Sequence, residues 1–268
     1  MTEENRPPIL ANKNSTSPSV FEPENLLREA RRQKSLTDGT VPEVCVLDPD
    51  GDIVRSLKAG GRVSLDQDWA CYHTELYRFT YDGQAFGIIG CSVGAAFAVL
   101  LAEQLFASGC RLLLSMTSAG QIVPAGEPPY FVLIERALRD EGTSYHYLPP
   151  DEFSYGDPNL IDGAERALSG LPFPVARGAT WTTDAPFRET AEAIDANKAR
   201  GVLAVEMEAA ALYAFARARD KPVVCFAHVT NQMGRVEGDF EKGAVDGADA
   251  SLRLLAATAQ ALVPHRTP

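Results

Sequence analysis

The sequence predicts an α/β protein, a single three-layer α/β/α domain built on a central mixed β-sheet. Three observations support this. Short apolar runs rich in branched residues alternate with helical patterns almost to the end of the chain. No Gly- or Pro-rich linker divides the middle, and no repeat period or low-complexity tract appears. The length of 268 residues is within reach of one large domain.

Residues 1–20 are polar and rich in Pro, Ser, Thr and Asn, and are expected to form a flexible lead ahead of a domain at 21–268. Phe21–Lys34 has the charge pattern of a surface helix. Val44–Leu47 is a short strand, stopped by the turn signal Asp48-Pro49-Asp50-Gly51-Asp52. Glu75–Thr80 alternates, meets Asp82-Gly83 and resumes as Ala85–Cys91, which predicts a β-hairpin. Between Gly94 and Gly109 lies a dense apolar helix with Gly109 at its C-terminal end. Arg111–Met116 follows as a strand, then a small-residue turn at Thr117-Ser118-Ala119-Gly120. Strand, helix and strand in that order predict parallel pairing. Tyr130–Asp140 and Asp162–Leu168 are helix candidates, and Val175–Thr180 is a strand candidate. Phe187–Arg200 is expected to be a helix, Val202–Val205 a strand and Glu206–Arg219 an apolar-faced helix. Lys221-Pro222 ends that helix, Val223–Val229 is a buried strand, and Asp246–Leu262 closes the chain as a helix.

Composition narrows the function. There are 25 basic and 36 acidic residues, a net charge of −11. That balance argues against a nucleic acid polymer as partner, because backbone binders need a basic surface. An acidic protein that binds phosphate must gather its positive charge in one place. The five cysteines (Cys45, Cys71, Cys91, Cys110, Cys225) are odd in number and show no C-x-x-C spacing. Free, mostly buried thiols in a reducing compartment are expected, with no metal site. The N-terminus lacks the apolar core of a secretory signal, and the apolar stretch near Ala95–Leu105 is broken by Glu103 and Gln104. A cytoplasmic protein with no membrane contact is expected.

Most nucleotide and hydrolase motifs are absent: no P-loop, no G-x-G-x-x-G, no H-E-x-x-H and no G-x-S-x-G. The four histidines (His73, His146, His228, His265) lack ligand spacing. The most informative segment is 201–234, where a strand runs into a helix that opens with Glu206, Met207 and Glu208. Two readings stand side by side. Acids at a helix N-terminus face the positive end of its dipole and need no further role. A strand end opening into a helix is also where open α/β sheets place ligands, and a carboxylate there can accept hydrogen bonds from two vicinal hydroxyls.

The segment VEMEAAALYAFA resembles the helix of the nucleoside phosphorylase family, which holds uridine phosphorylases, purine nucleoside phosphorylases and methylthioadenosine nucleosidases. GATWTTDAPFRET is similar to the base-side loop of uridine-phosphorylase-like members, and LLLSMTSAGQI to the family's strand and small-residue turn. NQMGRVEGD resembles the tail of some uridine phosphorylases. The match runs over residues 43–262. The resemblance implies that Glu208 takes the ribose 2′- and 3′-hydroxyls, with Met207 along the sugar and Glu206 beside it. Ser118 and Gly120 lie in the turn that contacts phosphate or ribose. Thr183, Asp184, Phe187 and Arg188 line the base side. Phe187 either stacks on the base or packs in the core. Arg188 either polarises a pyrimidine carbonyl or pairs with Glu192 one helical turn on. Asn231 stands where purine-specific members carry an Asp that assists protonation of the base, and an Asn cannot supply that proton. This leans toward a pyrimidine-like or unusual base.

Departures from the family pattern concern the nucleophile. The phosphate loop G-D-P-x-R appears as Leu47-Asp48-Pro49-Asp50-Gly51, so its arginine position holds Gly51. The second phosphate arginine corresponds to Ser115, and a third falls near Tyr72 or His73. Each missing charge-assisted bond is worth roughly 1.5–3 kcal/mol. Arg55 and Arg78 are candidates to compensate, while Asp48, Asp50 and Asp52 make the lining anionic. Three expectations follow. Phosphorolysis of a nucleoside is the default, with inorganic phosphate as co-substrate and no cofactor. Hydrolysis is the alternative because the cradle is depleted, with His73, Glu75 and Asp48 as candidate bases. A catalytically inactive nucleoside-binding protein is the third. The family also implies a homo-oligomer, a dimer or a hexamer.

Overall fold

A computed structural model of the chain describes residues 7–233 and 237–263. In order, the elements are α1 (Pro23–Lys34), β1 (Val44–Asp48), α2 (Asp52–Ala59), β2 (Ser64–Leu65), β3 (Tyr77–Tyr81), β4 (Gln84–Gly90) and α3 (Ala95–Ala107). There follow β5 (Leu112–Gln121), β6 (Tyr130–Asp140), α4 (Ser144–Tyr147), β7 (Phe153–Tyr155), α5 (Pro158–Leu168) and β8 (Val175–Thr183). The chain ends with α6 (Ala191–Ala199), β9 (Val202–Glu206), α7 (Ala209–Arg219), β10 (Val223–Asn231) and α8 (Ala248–Leu262).

All ten strands belong to one mixed sheet. The hairpin β3–β4 turns on Asp82 and Gly83, both with positive φ (46° and 77°), the signature that an Asp-Gly pair supplies. β4 and β5 run parallel as expected, but β1 lies between them and pairs with both. Every residue of β1 is buried, as a strand flanked by parallel neighbours requires. Helices cover both faces. α3 packs on α1 and α7 on one side, and α8 packs on α2 and α5 on the other. In α7 every residue from Ala209 to Phe215 is buried, which accounts for its run of alanines. Among the described residues no helix is long and apolar enough to cross a membrane.

The sheet also closes on itself. β5 pairs with β10, β10 with β6, β6 with β8, β8 with β9, and β9 returns to β5. The length of β5 makes this possible. Leu112–Ser115 hold β1, while Gly120 and Gln121 further along hold β9. At the closure Gly120 faces both Val205 and Asn231, and a Cβ there would lie 2.5 Å from Met233 Sδ. A larger residue there requires the Met233 side chain to move.

Four elements differ from expectation. Tyr130–Asp140 is strand β6, not a helix. Its aromatic and branched first half is buried between β8 and β10, and a bulge near Glu135 absorbs its charged second half. The small residues Thr117–Gly120 do not turn but continue β5 into the closed part of the sheet. The helix expected from Phe187 starts at Ala191, capped by the Thr190 hydroxyl, after a separate 3-10 turn at Pro186–Arg188. The helix expected from Glu206 starts at Ala209, because Glu206 still pairs with β8 as the last residue of β9.

Tyr213 ties the sheet to its central helix. Its hydroxyl donates to the Ile134 carbonyl of β6 and accepts from the Cys225 N–H of β10 (3.1 Å). Tyr213→Phe leaves two buried backbone groups unpaired, an expected cost of about 1–3 kcal/mol. A thermal melt is expected to show a fall of several degrees, and an unchanged melting temperature would contradict that role.

The described part of the lead lies against the domain. Ile9 approaches Gly142, Lys13 Nζ is 3.0 Å from His146 Nδ1, and Ser19 Oγ accepts from Arg219. Residues 1–6, the 234–236 part of NQMGRVEGD, and 264–268 with His265 lie outside the described residues.

Candidate active site

The junction of β9 and α7 sorts the two glutamates. Glu206 ends a strand, so its side chain turns toward β8. Oε1 accepts from the hydroxyls of Thr180 (3.1 Å) and Thr182 (2.5 Å). Oε2 accepts from the N–H groups of Glu208 and Ala209, both at 2.7 Å. Glu206 is therefore a saturated helix cap with no lone pair left for substrate.

Glu208, two residues on, faces the start of α3. It is 1% exposed. Oε1 accepts from the Gly94 N–H at 2.6 Å, and Oε2 is buried without a partner. Burial pushes its carboxyl up to about 8, and the charges of Glu206 and Asp50 add to the rise. The Gly94 N–H and the Thr117 hydroxyl pull the other way. A buried carboxylate oxygen with no donor is costly to the fold.

The β1–α2 turn brings a second group. Asp48 is buried and caps α2, accepting from Gly51 N–H (3.2 Å) and Val54 N–H (2.9 Å). Burial raises it to about 7, helped by the charges of Asp50 and Asp52. Asp50 reaches across to β5, where Oδ2 accepts from the Ser118 N–H at 2.9 Å. Its other oxygen, Oδ1, has no hydrogen bond among the described residues. Beside Ser118 on β10 stands His228, stacked on Phe131 with centroids 4.6 Å apart. Burial and the nearby Lys242 push its imidazole down to about 4, so it is neutral at physiological pH.

The cations here are committed. Arg55 holds Asp52 and the Asp50 carbonyl, and Lys242 also holds Asp52. Arg78 is bound to Asp66 (2.6 Å) and the Thr40 carbonyl, on a different edge of the sheet. Ser115, at an expected arginine position, is buried with an unpartnered hydroxyl. Both arginines proposed to compensate already hold a carboxylate, Arg55 that of Asp52 and Arg78 that of Asp66.

On the base side the structure brings fewer groups together. Asn231 is buried beside Gly120, its carbonyl accepting from Met233 N–H (2.9 Å) and its amide donating to Thr230 (3.2 Å). Thr183 accepts from Ala185 N–H within its own turn, and the exposed Asp184 accepts from Gly142 N–H. Phe187 is 98% exposed, so the core-packing alternative is wrong. Arg188 is exposed and makes no ion pair among the described residues, so its pairing with Glu192 does not form. His73 is exposed, edge-on to Phe97 of α3, and Glu75 bonds the Tyr77 hydroxyl. Met207 is half-buried between the two glutamates. Glu189, which the sequence does not single out, is half-buried and raised to about 7 by burial. The Asp50–Ser118 contact spans 68 residues and the Asp52–Lys242 contact 190, so local patterns carry no signal for either.

The family model described as the phosphorylase superfamily matches residues 53–263. The chain belongs to that superfamily. Among curated proteins it is similar to a guanosine phosphorylase of Halorubrum lacusprofundi, 25% identical over 173 residues, 64% of this chain and 68% of that one. It is also similar to a DeoD-type purine nucleoside phosphorylase of Proteus mirabilis, 25% identical over 51% of this chain and 58% of that one. Three solved structures share the fold. A uridine phosphorylase of Vibrio fischeri has a TM-score of 0.65 at 18% identity, over 86% of this chain and 91% of that one. A purine nucleoside phosphorylase of Toxoplasma gondii gives 0.69 at 16%, over 84% and 91%. A methylthioadenosine/S-adenosylhomocysteine nucleosidase of Campylobacter jejuni gives 0.68 at 17%, over 82% and 100%. The relatives are enzymes, both phosphorylases and a nucleosidase, and the fold scores do not separate them.

Proposed function

We propose that this enzyme of the phosphorylase superfamily cleaves the N-glycosidic bond of a nucleoside-like substrate with water rather than phosphate as nucleophile. One observation carries the choice: the Ser118 N–H, where the family resemblance places phosphate or ribose, is already held by the Asp50 carboxylate at 2.9 Å. A second anion there meets Asp50, Asp48 and Asp52, while Arg55 and Arg78 already pair with Asp52 and Asp66. The sugar end of the reading is supported by Glu208, whose unpartnered Oε2 suits one hydroxyl of a ribose diol. Bond cleavage then passes through an oxocarbenium-like sugar, as in glycoside hydrolysis. The reaction needs no cofactor. Assembly into a homo-oligomer belongs to the same reading, since Tyr72, Val93 and Leu100 leave apolar surface exposed beside His73 and α3.

The test is a panel of purine and pyrimidine nucleosides incubated with and without phosphate, followed by chromatography of free base and sugar. Release of base and free ribose at equal rates in both conditions is expected. Release only with phosphate, accompanied by ribose 1-phosphate, would establish phosphorolysis instead. Saturable nucleoside binding without any release would make the chain a binding protein.

A further inference from the structure

We propose that the cavity between the end of α7 and the start of α5 is a second ligand site, separate from the one at Glu208, and that it takes a small organic molecule with an apolar body and one carboxylate or phosphate group. Such a site is independent of the nucleophile that the enzyme uses.

The cavity has a volume of about 750 Å³, the size of pockets that enclose small organic ligands. It lies at the opposite end of α7 from Glu208, where Ala216, Arg217 and Asp220 line it. With 11 residues in α7 and about 1.5 Å of rise for each, the two places stand roughly 15 Å apart. Pro158, Leu160 and Ile161 at the start of α5, with Pro222 and Val223 where β10 begins, supply an apolar wall.

The charged wall is made by the bulge in β6. Successive residues of a strand point to opposite faces, yet Glu135 and Arg136 both line this cavity. The register of β6 against β8 shifts between Ile134 and Arg136, and that bulge re-aims the side chains. The two residues then differ. Glu135 is bound by Arg177 (2.9 Å), which also holds Asp162 and Glu165. Arg136 has no carboxylate among the described residues. Its Nε is buried without a partner, and its guanidinium carbon lies 4.8 Å from the centre of the Phe153 ring. Arg217 lines the same cavity and makes no hydrogen bond or ion pair among the described residues.

In a chain with 36 acidic and 25 basic residues, two unclaimed guanidiniums on one cavity suit an anionic group of a ligand. The acids on the wall do not take them. Asp157 caps α5, accepting from Asn159 N–H (2.8 Å) and Leu160 N–H (3.2 Å). Asp220 is exposed just past the end of α7 and pairs with neither arginine. A bare inorganic anion leaves the apolar wall unfilled, so the ligand needs an organic body.

The experiment titrates the full chain with 2-naphthoate and 2-naphthyl phosphate by calorimetry. 2-Naphthamide serves as the body without charge and inorganic phosphate as the charge without body. One saturable site for at least one aryl anion is expected, with 2-naphthamide and inorganic phosphate each about tenfold weaker or more. Whichever aryl anion binds more tightly identifies the anionic group. Arg136→Met keeps the stem on Phe153 and removes the charge. Arg217→Ala alters an exposed helix residue, so its effect is free of any loss of fold. Each is expected to weaken the aryl anion by about tenfold or more, while Glu208→Gln leaves it within about twofold. Failure of both aryl anions to bind, equal binding of 2-naphthamide or of inorganic phosphate, or wild-type affinity in either arginine variant would overturn the site. A loss in Glu208→Gln as large as in the arginine variants would overturn its separateness. Nucleoside cleavage is expected to be unchanged in Arg217→Ala, so the proposed function stands or fails on the nucleoside panel alone.

Discussion

Replacing Glu208 by alanine is expected to lower kcat/KM by roughly 10- to 10²-fold, because the one charge-assisted hydrogen bond that its unpartnered Oε2 offers a sugar hydroxyl is worth about 1.5–3 kcal/mol. Most of the loss is expected in KM if the diol is held equally in ground and transition states, and in kcat if the clasp tightens as the sugar flattens. The same carboxyl is a burden on the free protein. Its value in the fold is near 8, against 4.5 unperturbed. Between those limits the unfolded chain is ionised and the folded one keeps its proton. The contribution is therefore intact below about pH 4.5 and is lost as pH rises through 8. Glu208→Gln has no charge to lose. Its melting temperature is expected to match wild type near pH 4 and to exceed it by several degrees at pH 8, a few kcal/mol in all. Melting curves across that range, with steady-state rates on the same samples, decide both halves. A variant with full activity, or one less stable than wild type at pH 8, would remove Glu208 from the sugar site. On the proposed function, a bound sugar hydroxyl is expected to give Oε2 a donor and lower the carboxyl again.

How much of this was legible depended on the distance over which each feature is encoded. β1, the β3–β4 hairpin, α3 and α8 follow from local patterns: a branched run, an Asp-Gly turn, glycines bracketing an apolar helix. β6 was not legible. Glu135, Arg136 and Arg139 look like the polar face of a helix, yet Arg139 is buried because Ser144, Leu148 and Pro149, later in the chain, supply its acceptors. The closure of the sheet depends on Gly120 meeting Val205 and Asn231, which no window of sequence contains. The site shows the same division. A helix opening with two glutamates is visible, and the capping reading holds for Glu206, while Glu208 keeps a buried oxygen without a partner. What separates them is that Glu206 ends a strand, so its side chain meets the β8 threonines while Glu208 turns to α3. The acids at 48–52 were visible as an anionic lining. That Asp50 seats on Ser118, and that Lys242 joins Arg55 on Asp52, required the fold.

Glu206→Ala is expected to destabilise the protein by about 3–5 kcal/mol, since it strands a set of buried donors at once. Glu206 receives the Thr180 and Thr182 hydroxyls and the N–H groups of Glu208 and Ala209, and none of these has water within reach at a fully buried position. Thr182 also accepts from Ala210 N–H, so its reorientation loosens a further bond at the start of α7. Glutamine is not a remedy, because its amide nitrogen is a donor placed against donors. In urea the unfolding midpoint is expected to fall with the slope unchanged, as for a loss of native contacts rather than a change in the surface exposed. Activity is expected to fall as well, because Glu208 hangs from Glu206 through its own N–H. The two glutamates therefore have opposite signs on stability and the same sign on activity. Losing Glu206 weakens fold and reaction together, whereas losing the Glu208 charge weakens the reaction and strengthens the fold. A Glu206→Ala protein within 1 kcal/mol of wild type would contradict the capping role, and with it the physical reason for two acids at one helix start.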